Sequence, residues 1–350
     1  MVIFGAGASY DSAPSCRPGA EHDRITPLYR PPLANQLFAD RPDFANWILR
    51  FPACQAVIPY LRQPLEGSSV EGELERLRNE ALTNPKRHRQ ITAVQFYLQS
   101  MLWECEEKWK GQVAKGVTNY RTLLDQIESW RREEAEKVCL VTFNYDRMLE
   151  DALSEVAINI RGVDDYIASD DYRMIKLHGS VNWAHRVGIE IKDPSNRPRL
   201  LILNELIERR GELRIHPDYH MISGALGDPA ASCAQKPELP LFPALAIPVE
   251  NKQEYECPLA HLEALRICIP EVTKILLIGW RATEKVFLQS LKNNLRGRVQ
   301  MMAVNGSEAS SKESMRRLVQ EGIQGTLLPT KSGFSDFVTR REAEPFLRSS

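Results

Sequence analysis

Apolar positions along this chain follow two rhythms, and the change between them falls near residue 137. Before it they recur at helical spacing. Ile91, Val94, Leu98, Met101, Leu102, Cys105 and Trp109 mark one long amphipathic helix. Leu74, Leu77 and Ala81 line an earlier helix amid alternating charges, and Tyr120, Leu123, Leu124, Ile127 and Trp130 mark a later one. All three stripes read as core-facing surfaces, their aromatic residues included. A further helix starts near Pro32, with the proline in a tolerated first-turn position. From Lys137 onward the rhythm changes: residues 138–143 are a continuous apolar, β-branched run, the pattern of a strand covered on both faces. Similar runs at 2–4, 174–177, 200–203, 245–249, 274–278, 299–304 and 326–328 predict further strands. Helical patterns at 147–156, 258–267, 284–293 and 310–321 separate several of them. Strands alternating with helices predict an α/β fold, with a Rossmann-like, doubly wound, mostly parallel sheet.

The whole chain, 1–350, is expected to form a single α/β domain. The first two confident strands are separated by residues 5–137, so 34–136 is expected to form a helical insert within that domain. Residues 205–243, rich in proline, glycine and alanine, are expected to make an irregular excursion near the site. Residues 10–33 hold five prolines and predict a long loop, of the kind that closes over sites as a lid. Only Met1 precedes Val2, so the first strand is expected to be truncated or the recorded start to be late. No internal repeat or low-complexity tract interrupts the chain.

Composition narrows the class without naming it. A formal net charge of −1 over 350 residues gives no global case for a nucleic acid or an anionic membrane surface. No apolar run approaches the roughly 18 residues of a membrane span, and no basic region precedes an N-terminal apolar run as in a secretory signal. Seven cysteines stand singly, with no C-x-x-C, which disfavours a zinc ribbon and a disulfide framework and points to a reducing cytoplasm. Cys139 and Cys268 sit in apolar runs and are expected to be inert core residues.

Four clusters carry candidate chemistry. Gly5-Ala6-Gly7-Ala8-Ser9 follows the first strand as a tight turn, where Gly7 lets a phosphate approach the backbone and Ser9 adds a hydroxyl beside helix N–H groups. Thr142-Phe143-Asn144-Tyr145-Asp146 ends a buried strand, where a parallel sheet opens its binding crevice. Capping of the next helix by Asn144 or Asp146 is the competing explanation there. His178, at another strand end before Gly179, suits a general base at neutral pH. A structural histidine is the competing explanation. Gly279 and Asn305 follow two later strands, where a glycine admits a ligand and an asparagine can hydrogen-bond a ribose or base, although plain turns use the same residues. The remaining histidines show no metal spacing.

In the order GAGAS, TFNYD, KLHGS, LLIGW, AVN, the chain resembles the NAD-binding domain of the sirtuin superfamily, and within it the zinc-less sirtuin-like domain of prokaryotic proteins. Several of those proteins hydrolyse NAD in anti-phage defence. The resemblance spans Val2 to about Asn305. It implies that Gly5, Ala6, Gly7 and Ser9 hold the pyrophosphate, with Thr142, Gly279, Arg281 and Asn305 completing the nucleotide-binding set. It also implies that Asn144 and Asp146 line the nicotinamide and its ribose, with His178 as the catalytic histidine. Sirtuins that deacylate proteins carry a zinc module built on paired C-x-x-C motifs; its absence here implies no zinc and no deacylation. After Gly279 the family's serine and acidic residue are replaced by Trp280-Arg281-Ala282-Thr283-Glu284, so Arg281 or Thr283 takes that contact.

The expected activity is an NAD glycohydrolase releasing nicotinamide and ADP-ribose, with NAD as substrate and no further cofactor. A module that holds NAD or ADP-ribose without cleaving it is the alternative. A dehydrogenase fits poorly, because the acidic residue its fingerprint needs would be Glu21 or Asp23, in the proline-rich loop. Uncontrolled NAD hydrolysis is toxic, so a homo-oligomer or a regulatory protein partner is expected, and no membrane.

Overall fold

The computed structural model describes all residues except 20–25, 65–66, 114–116, 193–196, 229–231, 234–239, 251–253 and 350. Glu21, His22 and Asp23 therefore lie outside the described residues, as does much of 229–239. Among the described residues ten strands form. In chain order they are β1 (Val2–Phe4), β2 (Val138–Thr142), β3 (Tyr172–Lys176), β4 (Gly179–Gly188) and β5 (Arg214–Ser223). There follow β6 (Ser232–Cys233), β7 (Leu241–Leu245), β8 (Lys274–Ile278), β9 (Val299–Val304) and β10 (Gly325–Pro329).

The chain divides into two compact units. The first comprises Met1–Pro31, Lys108–His178 and Lys252–Ser350. It holds a six-stranded sheet in the order β10-β9-β8-β1-β2-β3, with every pairing parallel. From central β1 the chain winds outward through β2 and β3, then returns to the other side of β1 for β8, β9 and β10. This is the doubly wound, Rossmann-like arrangement, and its switch point lies between β1 and β8.

β2 and most of β8 are buried on both faces, which is why they read as unbroken apolar runs. Ile3, Cys139, Val141, Ile275, Leu277 and Met301 face one layer, packed on Leu265, Phe287, Leu291, Met315 and Leu318 from helices Leu259–Cys268, Lys285–Asn294 and Glu308–Gln320. On the other face Phe4 meets Tyr120 of helix Asn119–Glu134, ring centroids 5.2 Å apart.

The second unit joins two insertions distant in sequence, Pro32–Glu107 and Gly179–Asn251. The first supplies helices, including Pro42–Arg50, Val70–Ala81 and most of Pro85–Gln112. The second supplies an antiparallel sheet ordered β6-β5-β4-β7. Gln99 donates to Val181 O at 2.7 Å, and Phe96 meets Phe242 edge-on at 5.4 Å, so the long helix seats on this sheet.

Three expectations change. Residues 200–203 lie in helix Arg199–Glu208: a short apolar run suits a buried strand or one stretch of a helix equally. Residues 205–243 carry β5 and β7 rather than an irregular excursion. The helical stretch 34–136 does not stay together, because from Lys108 onward it belongs with the parallel sheet. β4 was not foreseen; its glycine, serine, asparagine and histidine give no apolar run. No helix among the described residues is long and apolar enough to cross a membrane.

Candidate functional site

The carboxyl ends of β1, β2 and β8 meet at the switch point. Gly5 N donates to Ile278 O at 3.0 Å, Gly7 N to Gly279 O at 3.0 Å, and Gly279 N to Val304 O at 2.8 Å. The turns after β1 and β8 thus lie against each other with no side chain between them. A Cβ on Gly279 would stand 2.1 Å from Ala8 N, and one on Gly7 would stand 2.8 Å from Gly279 Cα. One on Gly5 would stand 2.6 Å from Gly279 O. Gly279 is also left-handed, at φ +60°. These glycines are required by the crossing of two backbones; the sequence pointed only to a turn and a phosphate's approach.

Ser9 also departs from expectation. The helix after β1 is short, Ala6–Tyr10, and Ser9 sits near its end rather than at its start. There it is 3% exposed and enters a polar network with the end of β2. Its hydroxyl donates to Asp146 Oδ2 at 2.6 Å. With that proton committed, the Tyr120 hydroxyl 2.9 Å away is the donor to Ser9 Oγ. Burial, then the neighbouring Asp146 charge, pushes the Tyr120 phenol far above its ordinary range, so it keeps its proton.

Asn144 binds the two clusters into one. Its Nδ2 reaches Gly5 O at 2.9 Å, Ser9 Oγ at 2.9 Å and Tyr120 OH at 3.1 Å. Its backbone N–H donates to Thr142 Oγ1 at 3.1 Å, so the Thr142 hydroxyl is engaged in shaping the turn. Asp146 Oδ1 accepts from Met148 N at 3.2 Å, at the start of helix Met148–Ala152. The capping explanation therefore describes one oxygen of Asp146, and the link to Ser9 describes the other.

Beneath this network lies an ion pair with no solvent access to its cation. Lys176, at the end of β3, donates to Asp146 O at 2.5 Å and to Glu150 Oε1 at 2.7 Å. The Tyr166 hydroxyl adds a bond to Glu150 Oε1 at 3.1 Å. Burial pushes the Glu150 carboxyl above its ordinary range even beside the lysine. Sequence reasoning assigned no role to Lys176 or Glu150 and read Tyr120 only as core packing. The available signal was a polar tip on Tyr120 in an otherwise apolar stripe, because a buried phenol needs a partner.

His178 stands just past β3 and is buried. Its ring lies 5.0 Å from that of Phe143 and 6.3 Å from that of Tyr145. Phe143 stacks in turn on Trp280 at 5.2 Å, with planes 8° apart. Trp280 Nε1 donates to Glu284, so the residues after Gly279 are shaped by this indole.

The structure gathers Gly5, Gly7, Ser9, Asn144, Asp146 and Gly279, whereas His178 packs on Phe143 and Tyr145. Ala6, the first residue of the short helix, is exposed. Asn305 does something more local: its Nδ2 bonds Ser310 O at 3.2 Å and Ser314 Oγ at 3.0 Å, bracketing the helix that follows. Arg281 is exposed, and its carbonyl accepts from Arg317 at 3.0 Å. Among the described residues no group of three or more His, Cys, Asp or Glu side chains is placed to hold a metal ion.

No protein-family model and no curated protein matches the sequence. Among solved structures, the chain is similar to that of a Sir2 homolog–NAD complex, at 14% identity and a TM-score of 0.40, over 98% of this chain and 90% of that one.

Proposed function

We propose that this chain binds NAD at the switch point between β1 and β8 and cleaves its N-glycosidic bond, releasing nicotinamide and ADP-ribose. The observation that carries the proposal is the convergence of Asn144 and Asp146, from the end of β2, on the interlocked glycine turns after β1 and β8, with His178 past the end of β3 packed on Phe143 and Tyr145. Ligands of doubly wound sheets bind outside such a crossing. In the reaction, the bond between ribose C1′ and the nicotinamide nitrogen breaks through an oxocarbenium-like state, and nicotinamide leaves as a neutral base. Water adds to C1′ and loses one proton. His178 accepts that proton, or one from a ribose hydroxyl. In this reading Asp146, held by Ser9, stabilises the developing cation by its charge. The family resemblance carries the further proposal of a role in prokaryotic anti-phage defence, in the cytoplasm, restrained by self-association or a partner protein.

One observation favours the second reading, a module that binds NAD or ADP-ribose without cleaving it. Asn144, Ser9, Asp146 and Tyr120 hydrogen-bond one another, so these polar groups are engaged in holding the turns together.

The test is incubation of the purified chain with NAD, chromatography of the products and calorimetry of binding, with His178→Ala alongside. Hydrolysis is expected, with turnover reduced about 10²–10⁴-fold in a variant that still melts cooperatively. Binding without product selects the second reading. Neither binding nor product in the wild type refutes both, and undiminished turnover in the variant refutes the role of His178.

A further inference from the structure

Across the sheet's other end lies a pair of thiols that the proposed function does not use. Cys139 is the second residue of β2 and stands in register with Arg173 of β3. Cys268 ends the helix Leu259–Cys268 that covers this face. Cys268 packs against the buried cluster that holds Cys139, and Arg173 Nη1 donates to Cys268 Sγ at 3.9 Å. Cys139 is buried, whereas Cys268 is partly open to solvent. Cys139 is thus a core residue as expected, whereas Cys268 is not fully buried.

We propose that Cys268 is an oxidation site for hydroperoxides, with Cys139 as the thiol that resolves its sulfenic acid to a disulfide. A reactive cysteine needs a stabilised thiolate, access, and often a second thiol in reach; this pair has all three. The neighbouring Cys139 thiol, then the Arg173 guanidinium, pulls the Cys268 thiol below its ordinary range, while Cys268 and burial push Cys139 up. The chemistry is therefore directional. The Cys268 thiolate attacks one peroxide oxygen, the O–O bond breaks, and hydroxide leaves, giving Cys268–SOH. The Cys139 sulfur then attacks the Cys268 sulfur, forming the S–S bond. The hydroxyl leaves as water with the Cys139 proton. Two electrons pass from the thiols to the peroxide, and two waters form once the hydroxide is protonated.

Cys54 and Cys105 are buried, and burial pushes the Cys54 thiol up to about 12. Cys16, like Cys268, is partly open to solvent, which makes it the internal reference.

The test uses the full chain, reduced, freed of reductant and given one equivalent of hydrogen peroxide, then alkylated after denaturation and mapped by peptide mass spectrometry. A Cys139–Cys268 cross-linked peptide pair, lighter by two hydrogens, is expected. In Cys139→Ser, dimedone is expected to trap the sulfenic acid on Cys268 and not on Cys16. Native wild type at pH 7 is expected to alkylate at Cys268 at least about tenfold faster than at Cys16. Absence of the cross-link in wild type, or equal reactivity of Cys16 and Cys268, overturns the proposal. The wild-type measurements need no variant to fold.

Discussion

Replacing Gly279 with alanine tests the claim that the switch point is a crossing of two backbones. The new Cβ would lie 2.1 Å from Ala8 N, 2.3 Å from Gly7 C and 2.6 Å from Gly7 Cα. All three are main-chain atoms, so no side chain can swing aside to relieve the contact. Opening it to an ordinary separation of about 3.4 Å pushes the two turns apart and stretches the Gly7 N to Gly279 O bond, now 3.0 Å. Overpacking of this kind costs about 1–3 kcal/mol. Holding alanine at the left-handed φ of +60° adds about 1–2 kcal/mol. The weakened hydrogen bond adds about 1 kcal/mol. The expected loss is therefore about 3–6 kcal/mol. Because the chain forms two compact units, a single unfolding midpoint would mix their contributions. Native-state hydrogen exchange at β1, β2 and β8 reads the right element, and about 3 kcal/mol corresponds to roughly 150-fold faster exchange. Gly306→Ala is the control, since a Cβ there meets nothing within 4 Å; its expected change is within about 0.5 kcal/mol. Protection in Gly279→Ala within about 1 kcal/mol of the parent would refute the reasoning.

Asn144→Ala should cost about 2–4 kcal/mol by the same exchange measurement, because it removes the partner of Gly5 O and the link between Ser9 and Tyr120. A loss of NAD turnover in that variant thus counts as evidence for a role in the chemistry only after its stability is measured; full stability would show that these hydrogen bonds are unimportant. Glu128 predicts a pH dependence. Hydrogen bonds from Arg131, and with them Tyr172 and Arg132, hold its carboxyl down at about 2 in the folded chain. The group's folded value lies below its unfolded one, so its contribution is present above about pH 4.5 and fades as pH falls toward 2. Glu128→Gln should therefore destabilise by about 1–2 kcal/mol at pH 7, allowing for partial solvent screening, and by little near pH 2. Equal urea-unfolding losses at both pH values would contradict this.

Much of the parallel sheet was legible in the sequence because strands covered on both faces leave continuous apolar runs. Residues 138–143, 274–278, 299–304 and 326–328 all appear within a residue or two of β2, β8, β9 and β10. The same rule failed at 200–203, where one turn of helix has the same composition as a strand. It was silent at β4, a strand of mixed polarity. Helical stripes such as Ile91 to Trp109 were legible from their spacing, but not the unit each would join.

The order of apolar runs, glycines and strand-end polar residues by itself determined an α/β fold with glycines and polar residues gathered at its strand ends. That information is local, since hydrophobic period and turn chemistry are properties of short stretches. Which strands became neighbours was decided only in three dimensions. Gly5 and Gly279 are 274 positions apart, yet their backbones touch, and no local rule says that a Cβ is forbidden there. The same holds for Ser9, which was expected beside a phosphate and instead donates to Asp146. Steric exclusion and hydrogen-bond satisfaction depend on which atoms meet, and that is settled by how the sheet winds.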